Sequence, residues 1–523
     1  MVLAQALGTG VTQKKGERKM ADEIHGKTTP SRRTRLSRAL LWLWILFVVL
    51  GTLAILGLRM FSQELSDNQL PYLESGLLNL MTYILVALSF LGAVLWILFF
   101  SGWHFLKRLG WSMAIVLAFV IPLVLLEPIF DGGMGLRGGR TRFWGKGASI
   151  GQAHGIADLA PESTADFPQF LGPNRSAIFD SISLHADWQQ NPPKLLWKQP
   201  IGLGWSGFAT RNGFAVTMQQ IGEQECVSCY RVDDGTLVWN YEIRRRHENI
   251  LGGVGPRGTP TIYEGRVFAL GGVGNLCCLD GANGKPIWEV DLLKLANIPV
   301  LDQKNGRGEA YNVEQSNVSW GRAASPLIYE SLVIVPLSAT QTLVALDRQT
   351  GKVVWYGGNQ PPGYGSPVIC EIGGKPQVVI VNESSVTGHD PRDGTELWYH
   401  QRSGSSSGDA NTSQATLVGE NSILVTKGYG LGGELIQLEP KDERTFVATS
   451  VWKSRRVLKT KLTNPVVRDG FAYALSSEVL ECVDLKDGVR RWRASKDSVM
   501  AKSFLLENTF WPTRKTGNLS SSI

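Results

Sequence analysis

GPRGTPTIYEGRVFALGGVGNLCCLDGANGKPIWEVD, residues 255 to 291, is the stretch from which the rest of the chain is read. Thr259 to Tyr263 predicts a strand, and Gly265-Arg266 turns the chain into a second strand, Val267 to Leu270. After Gly271-Gly272, Leu276 to Leu279 predicts a third strand. The turn Asp280 to Lys285, rich in Asp, Asn and Gly, leads into a fourth, Pro286 to Val290, which carries Trp288. The unit is a four-stranded antiparallel meander.

Its ending, Asp-x-x-x-Gly-x-x-x-Trp, recurs at Asp280/Gly284/Trp288, Asp347/Gly351/Trp355, Asp390/Gly394/Trp398 and Asp484/Gly488/Trp492, with Arg231/Gly235/Trp239 as a variant. The Asp suits a turn whose amides it can bond, and the Gly supplies positive φ. The Trp falls on the returning strand, where each ring is expected to be buried. Trp197 and Trp452 take the same place in a degenerate copy and in a copy with an insertion. The Trp spacings from Trp197 onward are 42, 49, 67, 43, 54 and 40 residues, the period of four-stranded propeller blades. The long interval before Trp355 is assigned to a polar insertion over Leu295 to Ser319. Blades start through a small residue and Pro, at Thr259-Pro260, Ser325-Pro326, Ser366-Pro367 and Asn464-Pro465. Pro at the first position of a channel-lining strand blunts its edge.

The runs LDRQTGKVVW (346 to 355) and LDGANGKPIW (279 to 288) resemble the repeat of the pyrroloquinoline-quinone-binding-like β-propeller superfamily. Quinoprotein dehydrogenases and the BamB-type outer-membrane assembly scaffold belong to that superfamily. DFPQFLGPNRSAIF at 166, PPKLLWKQPIGLGWS at 192, GVGPRGTPTI at 253 and WGRAASPLI at 320 are similar to members common in planctomycete-like bacteria. The likeness covers about two-thirds of the chain and implies an all-β propeller. The expected propeller runs over 166–523, with seven blades as the chain stands. Leu195 to Pro200 would give the closing blade its fourth strand, beside short strands at 503–506, 509–511 and 517–519. Relatives continue through one more blade, so eight blades would require residues beyond Ile523.

Ahead of the propeller, the formal charge of +7 is concentrated in residues 1–38, where nine Lys/Arg face three Asp/Glu. That stretch reads as a disordered basic tail, and the nearly neutral remainder removes the basis for a nucleic-acid partner. Three uncharged runs follow within 39–130, predicting transmembrane helices near 39–58, 77–100 and 109–129, then a Gly-rich linker over 131–165. No small-residue cleavage site follows the first run, so it reads as a retained anchor in inner-membrane lipid. Arg32, Arg33, Arg35 and Arg38 before it, an acidic first loop, and Lys107-Arg108 in the second predict a cytoplasmic amino terminus and a periplasmic propeller. Arg137, Arg140, Arg142 and Lys146 oppose this with less weight, because large domains translocate regardless of charge.

Cys226 and Cys229 are spaced like a redox or zinc pair, but on a strand they face opposite sides. Cys229, Cys278 and Cys482 sit two residues before the turn acid or its Arg replacement, where sister blades have Ala345 and Gly388, which favours small packing side chains over a metal. Cys277-Cys278 resembles the vicinal disulfide of some quinoprotein alcohol dehydrogenases, although its place inside a strand favours packing. Arg244 to His247 reads as a solvated loop, and the Gly-rich GGVGPRG and YGLGG as turns rather than phosphate loops. No catalytic constellation stands out. Trp205, Arg257, Trp320, Arg322, Tyr364 and Tyr429 precede the channel-lining strands and either form a mouth for a ligand or peptide, or pack the loops.

Two functions remain in view. One is a non-catalytic, membrane-anchored binding or scaffold module with an envelope protein as partner. The other is a membrane quinoprotein dehydrogenase using the quinone with calcium to oxidise an alcohol or sugar. The resemblance implies calcium ligands and a catalytic carboxylate for the second, and no Glu/Asn/Asp set here matches them residue by residue.

Overall fold

The computed structural model describes residues 32–68, 75–130, 136–141, 155–180 and, apart from short internal stretches, 187–494. It divides into two units, residues 1–60 with 78–127, and residues 61–77 with 128–523.

The first unit is built from three helices, α1 (Arg32–Asn68), α2 (Ser75–Phe100) and α3 (Phe105–Leu125). Each contains a run long and apolar enough to cross a membrane, Ser37–Phe61, Leu77–Phe100 and Phe105–Pro122. Helix α1 begins inside the stretch read as a tail, because nothing after Pro30 breaks a helix. Glycines allow α1 and α2 to approach: Gly51 faces Leu85 and Gly92 faces the Trp44 indole, each too closely for a Cβ. Arg59 donates to Asn79 Oδ1 (2.7 Å) and Thr82 Oγ1 (3.1 Å). Helix α3 ends three residues after Pro122, where Leu126–Phe130 becomes a strand paired with Leu136–Thr141.

The second unit is an all-β propeller of four-stranded antiparallel blades. Six blades are complete among the described residues, spanning Ala209–Ile243, Thr261–Asp291, Leu327–Gly357, Val368–Gln401, Thr416–Ser454 and Val466–Arg493. The strands expected at 503–519 for a seventh lie outside the described residues, as does most of the insertion before blade three. In every blade, neighbouring strands in the sheet are consecutive in sequence. Turns between first and second and between third and fourth strands therefore lie at one end of the ring, the turn end. The remaining turns and the connectors between blades lie at the other, the connector end.

Adjacent blades are joined by a repeated lock at the turn end. The outer-strand indole of one blade donates to the carbonyl just after the turn acid of the next: Trp239 to Gly281 (2.9 Å), Trp288 to Arg348 (3.0 Å), Trp355 to Pro391 (3.0 Å) and Trp452 to Leu485 (2.7 Å). The ring lies flat on the turn glycine. A Cβ on Gly284, Gly351, Gly394 or Gly488 would meet it at 2.5 to 2.7 Å, and all four have φ between +68° and +76°. Across its own sheet the Trp opposes a small residue in five blades, Cys229, Cys278, Ala345, Gly388 and Cys482, and Leu435 in blade five, followed in every blade by a register shift. All six cysteines are buried and free, and burial holds the Cys229, Cys277, Cys278 and Cys370 thiols up near 12, far from reactive thiolate. Leu195–Pro200 is unpaired among the described residues, yet Trp197 donates to Val232 (2.6 Å) and covers Gly235 as the other indoles do.

Trp492 is the ring of the last motif, and the blade expected to cover it lies outside the described residues. It holds the motif position, opposite Cys482, but remains 41% exposed, with the Tyr473 ring of its own sheet 6.2 Å away. The reason is positional: the outer strand of a blade is covered by the next blade, and among the described residues no blade follows blade six. Its Asp484 and Gly488 still serve the lock, because they receive Trp452 from blade five.

Blades four and five depart from this pattern in another way. Opposite Trp398 stands Gly388, so the indole folds back over its own sheet and bonds Gln377 Oε1 (2.7 Å). Blade five instead extends its Gly432–Pro440 and Phe446–Ser454 hairpin toward blade four, where Arg444 pairs with Asp390 (3.4 Å) and Asp393 (3.1 Å).

Candidate functional site

The X-Pro positions at the start of the innermost strands form a belt around the channel. Gly207 N–H donates to Thr259 Oγ1, Thr259 N–H to Ser325 Oγ, Ser325 N–H to Ser366 Oγ, and Gln414 N–H to Asn464 Oδ1, at 2.8 to 3.3 Å. The small polar residue before each Pro is thus an acceptor for the preceding blade. Gln414 replaces the motif in blade five, and its side-chain amide is directed inward.

What it meets is the segment 155–180. Ala157 N–H bonds Ala282 O, Leu159 is buried, and Asp166 accepts from Asn212 N–H (3.0 Å) at the turn end, so part of the expected linker packs on the propeller. The chain then contacts the innermost strands of all six described blades. Phe167 forms a bridge with Thr210, and Ile262 donates to Pro168 O. Arg175 reaches the carbonyls of Ser325, Pro326 and Pro367, while Gln414 donates to Arg175 O (2.6 Å) and Arg468 pairs with Asp180 (2.9 Å). A segment touching every innermost strand must lie on the ring axis. Burial lowers the Arg175 guanidinium to about 9, and its bonds to carbonyl dipoles replace water. The segment runs from the turn end, at Asn212, to the starts of the innermost strands, where Arg175 meets Ser325, Pro326 and Pro367; the opposite face of the ring is the connector end.

Four of the six expected mouth residues meet there around Gly252. Trp205 Nε1 donates to Gly252 O (3.1 Å), and its backbone N–H to Pro256 O (2.8 Å). Arg257 donates to the carbonyls of Gly252 (2.7 Å), Gly253 (3.1 Å) and Gly255. The Trp320 ring lies against Gly252, and its backbone N–H donates to the buried Tyr364 hydroxyl (3.2 Å). Trp205 remains 41% exposed, a ring held rigidly at the surface. Arg322 and Tyr429 do not join them. Arg322 is buried and donates to Pro336 O (3.1 Å) and Leu337 O (2.7 Å), tying a connector to blade three, and Tyr429 lies beneath the Lys461 ammonium, 5.4 Å away.

Beneath the cluster lie Glu225 and His247, which sequence reasoning passed over. Glu225 Oε1 accepts from Gly272 N–H (3.0 Å), and Gly271 and Gly272 are bare because a Cβ on either would strike the carboxylate. Burial pushes this carboxyl up to about 7, while the Gly272 bond, Arg257 and Arg245 pull it down. Burial and Arg257 together drive His247 down to about 3, so the imidazole is neutral. Gly321, at φ +84°, gives its Nε2 room. The only advance signal was an acid on an otherwise apolar strand and a His ending an Arg run. Neither group reaches the surface. The exposed chemistry is aromatic faces beside an immobilised guanidinium.

A quinone with calcium needs carboxylate and carbonyl oxygens converging on the ion. Among the described residues no three His, Cys, Asp or Glu come together, and Cys277 and Cys278 are separate thiols. The described residues do not fit that group.

A family model described as outer membrane protein assembly factor BamB matches residues 222–494. No curated protein matches the chain. Among solved structures, BamB from Moraxella catarrhalis is similar at 16% identity, covering 56% of this chain and 74% of that one, with a TM-score of 0.38. A quinohemoprotein alcohol dehydrogenase of Pseudomonas putida matches at 12% identity over 55% of this chain and 52% of its own, TM-score 0.34. That of Comamonas testosteroni matches at 12% over 63% and 49%, TM-score 0.34. The chain spans about half the length of these two dehydrogenases.

Proposed function

The chain belongs to the PQQ-like β-propeller family described by BamB, and from that premise we propose that it is a binding and scaffold module of a bacterial cell envelope. In this reading three helices anchor it in the inner membrane, with the amino terminus cytoplasmic, the propeller periplasmic, and no catalytic role. The platform of Trp205, Arg257, Trp320 and Tyr364 at the connector end of the ring carries the reading. Its donors are satisfied by fixed carbonyls, so binding there would cost little ordering. Rigid aromatics beside Arg are the side chains that dominate protein interfaces.

The orientation rests on the arginines in the first turns of α1, ahead of its apolar run, and on Lys107-Arg108 in the first turn of α3. It is tested by labelling single cysteines introduced into the tail and into an exposed blade turn of intact cells. The scaffold reading predicts that mild crosslinking of envelope preparations captures a discrete envelope protein, and that Trp205→Ala with Trp320→Ala loses it while thermal stability is kept. Unchanged capture in the double variant would remove the platform from the interface. Titration with quinone and calcium, followed by dye-linked alcohol oxidation, tests the dehydrogenase; saturable binding with turnover would replace the scaffold reading.

A further inference from the structure

The end of blade five's outer strand and the connector that follows it, Lys453 to Lys461, read KSRRVLKTK and contain no acid. Its cations lie at graded depth. Arg455 and Arg456 are exposed at the rim, with no ion pair among the described residues; Lys461 is half-buried over the Tyr429 ring; Lys459 and, from blade five, Lys427 are buried at the mouth. The acids in reach are already occupied or turned inward. Glu434 is buried and engaged by His400 (2.9 Å), Arg402 (3.8 Å) and Lys453 (3.4 Å), and Glu481 is buried and engaged by Arg490 (2.7 Å). Glu383 lies at the turn beside Lys427, with its backbone carbonyl accepting from Asn411. Arg490 also donates to Arg456 O (2.5 Å), which fixes the rim backbone. The strip therefore presents Arg455 and Arg456 outward, with Lys461 half-buried behind them, and keeps its carboxylates buried.

We propose that this connector is a docking strip for an acidic polypeptide segment, which follows it from the rim toward the channel mouth. The proposal rests on the scaffold reading and names the chemistry of its partner. Depth favours a chain over a bilayer: a planar membrane meets only Arg455 and Arg456, whereas an extended peptide can pass them and reach Lys461. Leu462, exposed beside Lys461, adds an apolar contact for such a chain. Attraction among exposed charges fades beyond about 8 Å at physiological salt, so binding will depend steeply on ionic strength.

The test uses the full chain in zwitterionic nanodiscs, with fluorescent peptides of alternating Glu and Ser or of alternating Lys and Ser, read by anisotropy. The Glu peptide is expected to bind and to weaken at least about tenfold between about 50 and 500 mM salt, while the Lys peptide does not bind. Arg455→Glu with Arg456→Glu should weaken it by at least about tenfold with unchanged melting. Equal binding of both peptides, or indifference to the double charge reversal, would overturn the proposal. So would binding of phosphatidylglycerol vesicles that the same reversal abolishes, since that assigns the strip to lipid. Peptide binding without any captured envelope protein would leave the strip standing and sink the scaffold reading. Capture that survives the reversal, with no peptide binding, would do the opposite.

Discussion

At the turn end of the propeller, Trp239, Trp288, Trp355 and Trp452 solve one problem four times with the same donor, carbonyl and glycine. At the connector end no such repeat holds. Arg257 takes three carbonyls of its own loop, Arg322 takes two from the next blade, and Glu225 is buried beneath them with only Gly272 on one oxygen. Identical side chains in identical settings indicate a constraint shared by all blades, which is packing. Side chains that differ from blade to blade are available to distinguish one ligand from another. The residues that made the fold recognisable are therefore the ones least informative about what it binds.

That contrast is most open to attack at the locks. Trp355→Ala removes a buried ring and its bond to Pro391, and should cost about 3–5 kcal/mol in urea unfolding. A cost near zero would show that the interface repacks and the lock is incidental. Gly284→Ala should cost about 3 kcal/mol, because its Cβ would strike the Trp239 ring and its φ is +71°. Gly374→Ala, at φ +72° with nothing within 4 Å, should cost only about 1 kcal/mol, isolating the backbone penalty from the collision. Equal losses would mean that the indole yields.

At the connector end the expected signature is a pH dependence. The Glu225 carboxyl titrates near 4.5 when unfolded and about 7 when folded, so the native state is favoured below 4.5 and loses stability as pH rises through 7. Glu225→Gln should be more stable than the parent at pH 8 by about 2–3 kcal/mol, with the gain vanishing near pH 4. Melting curves that stay parallel across this range would return Glu225 to an ordinary environment. The smallest effect is expected for Arg444→Ala, because Arg444 itself is exposed and the buried Asp390 keeps Arg392 as a partner (2.6 Å); melting should fall by no more than about 2 °C, and less at high salt. A large drop would make the blade-five hairpin a principal fastener between blades four and five.

Much of the architecture was legible because its signals are local. The Asp, Gly and Trp of each ending lie within nine residues, and the Pro at each strand start is visible alone. What those residues touch was not legible, since every locked indole docks on a different blade and the hydroxyl before each Pro serves a neighbour 41 to 66 residues away. Trp492 makes the same point from the other side: its motif is intact, yet the burial of its ring depends on a neighbour that the motif does not contain. Gly388, standing where sister blades have Cys or Ala, was a readable hint that Trp398 would turn inward. The mouth was partly legible: Trp205, Arg257, Trp320 and Tyr364 share a position in the repeat and meet in space. Arg322 also precedes an innermost strand but is drawn off by carbonyls of blade three, and Tyr429, expected before such a strand, lies instead in the turn between the second and third strands of blade five, beneath Lys461. The axial segment has no periodicity, so its lack of pattern read as a plain start to the domain.

That segment also dictates an order of events during synthesis. Residues 166–180 leave the ribosome before any strand they will hold, and Arg175 must wait for Ser325, Pro367 and Gln414, which follow it by 150, 192 and 239 residues; the Asp180 partner, Arg468, comes 288 later. Closing loops that long is slow. The ring can be sealed only after Arg468 has been made, and until then its leading edge is a loose thread.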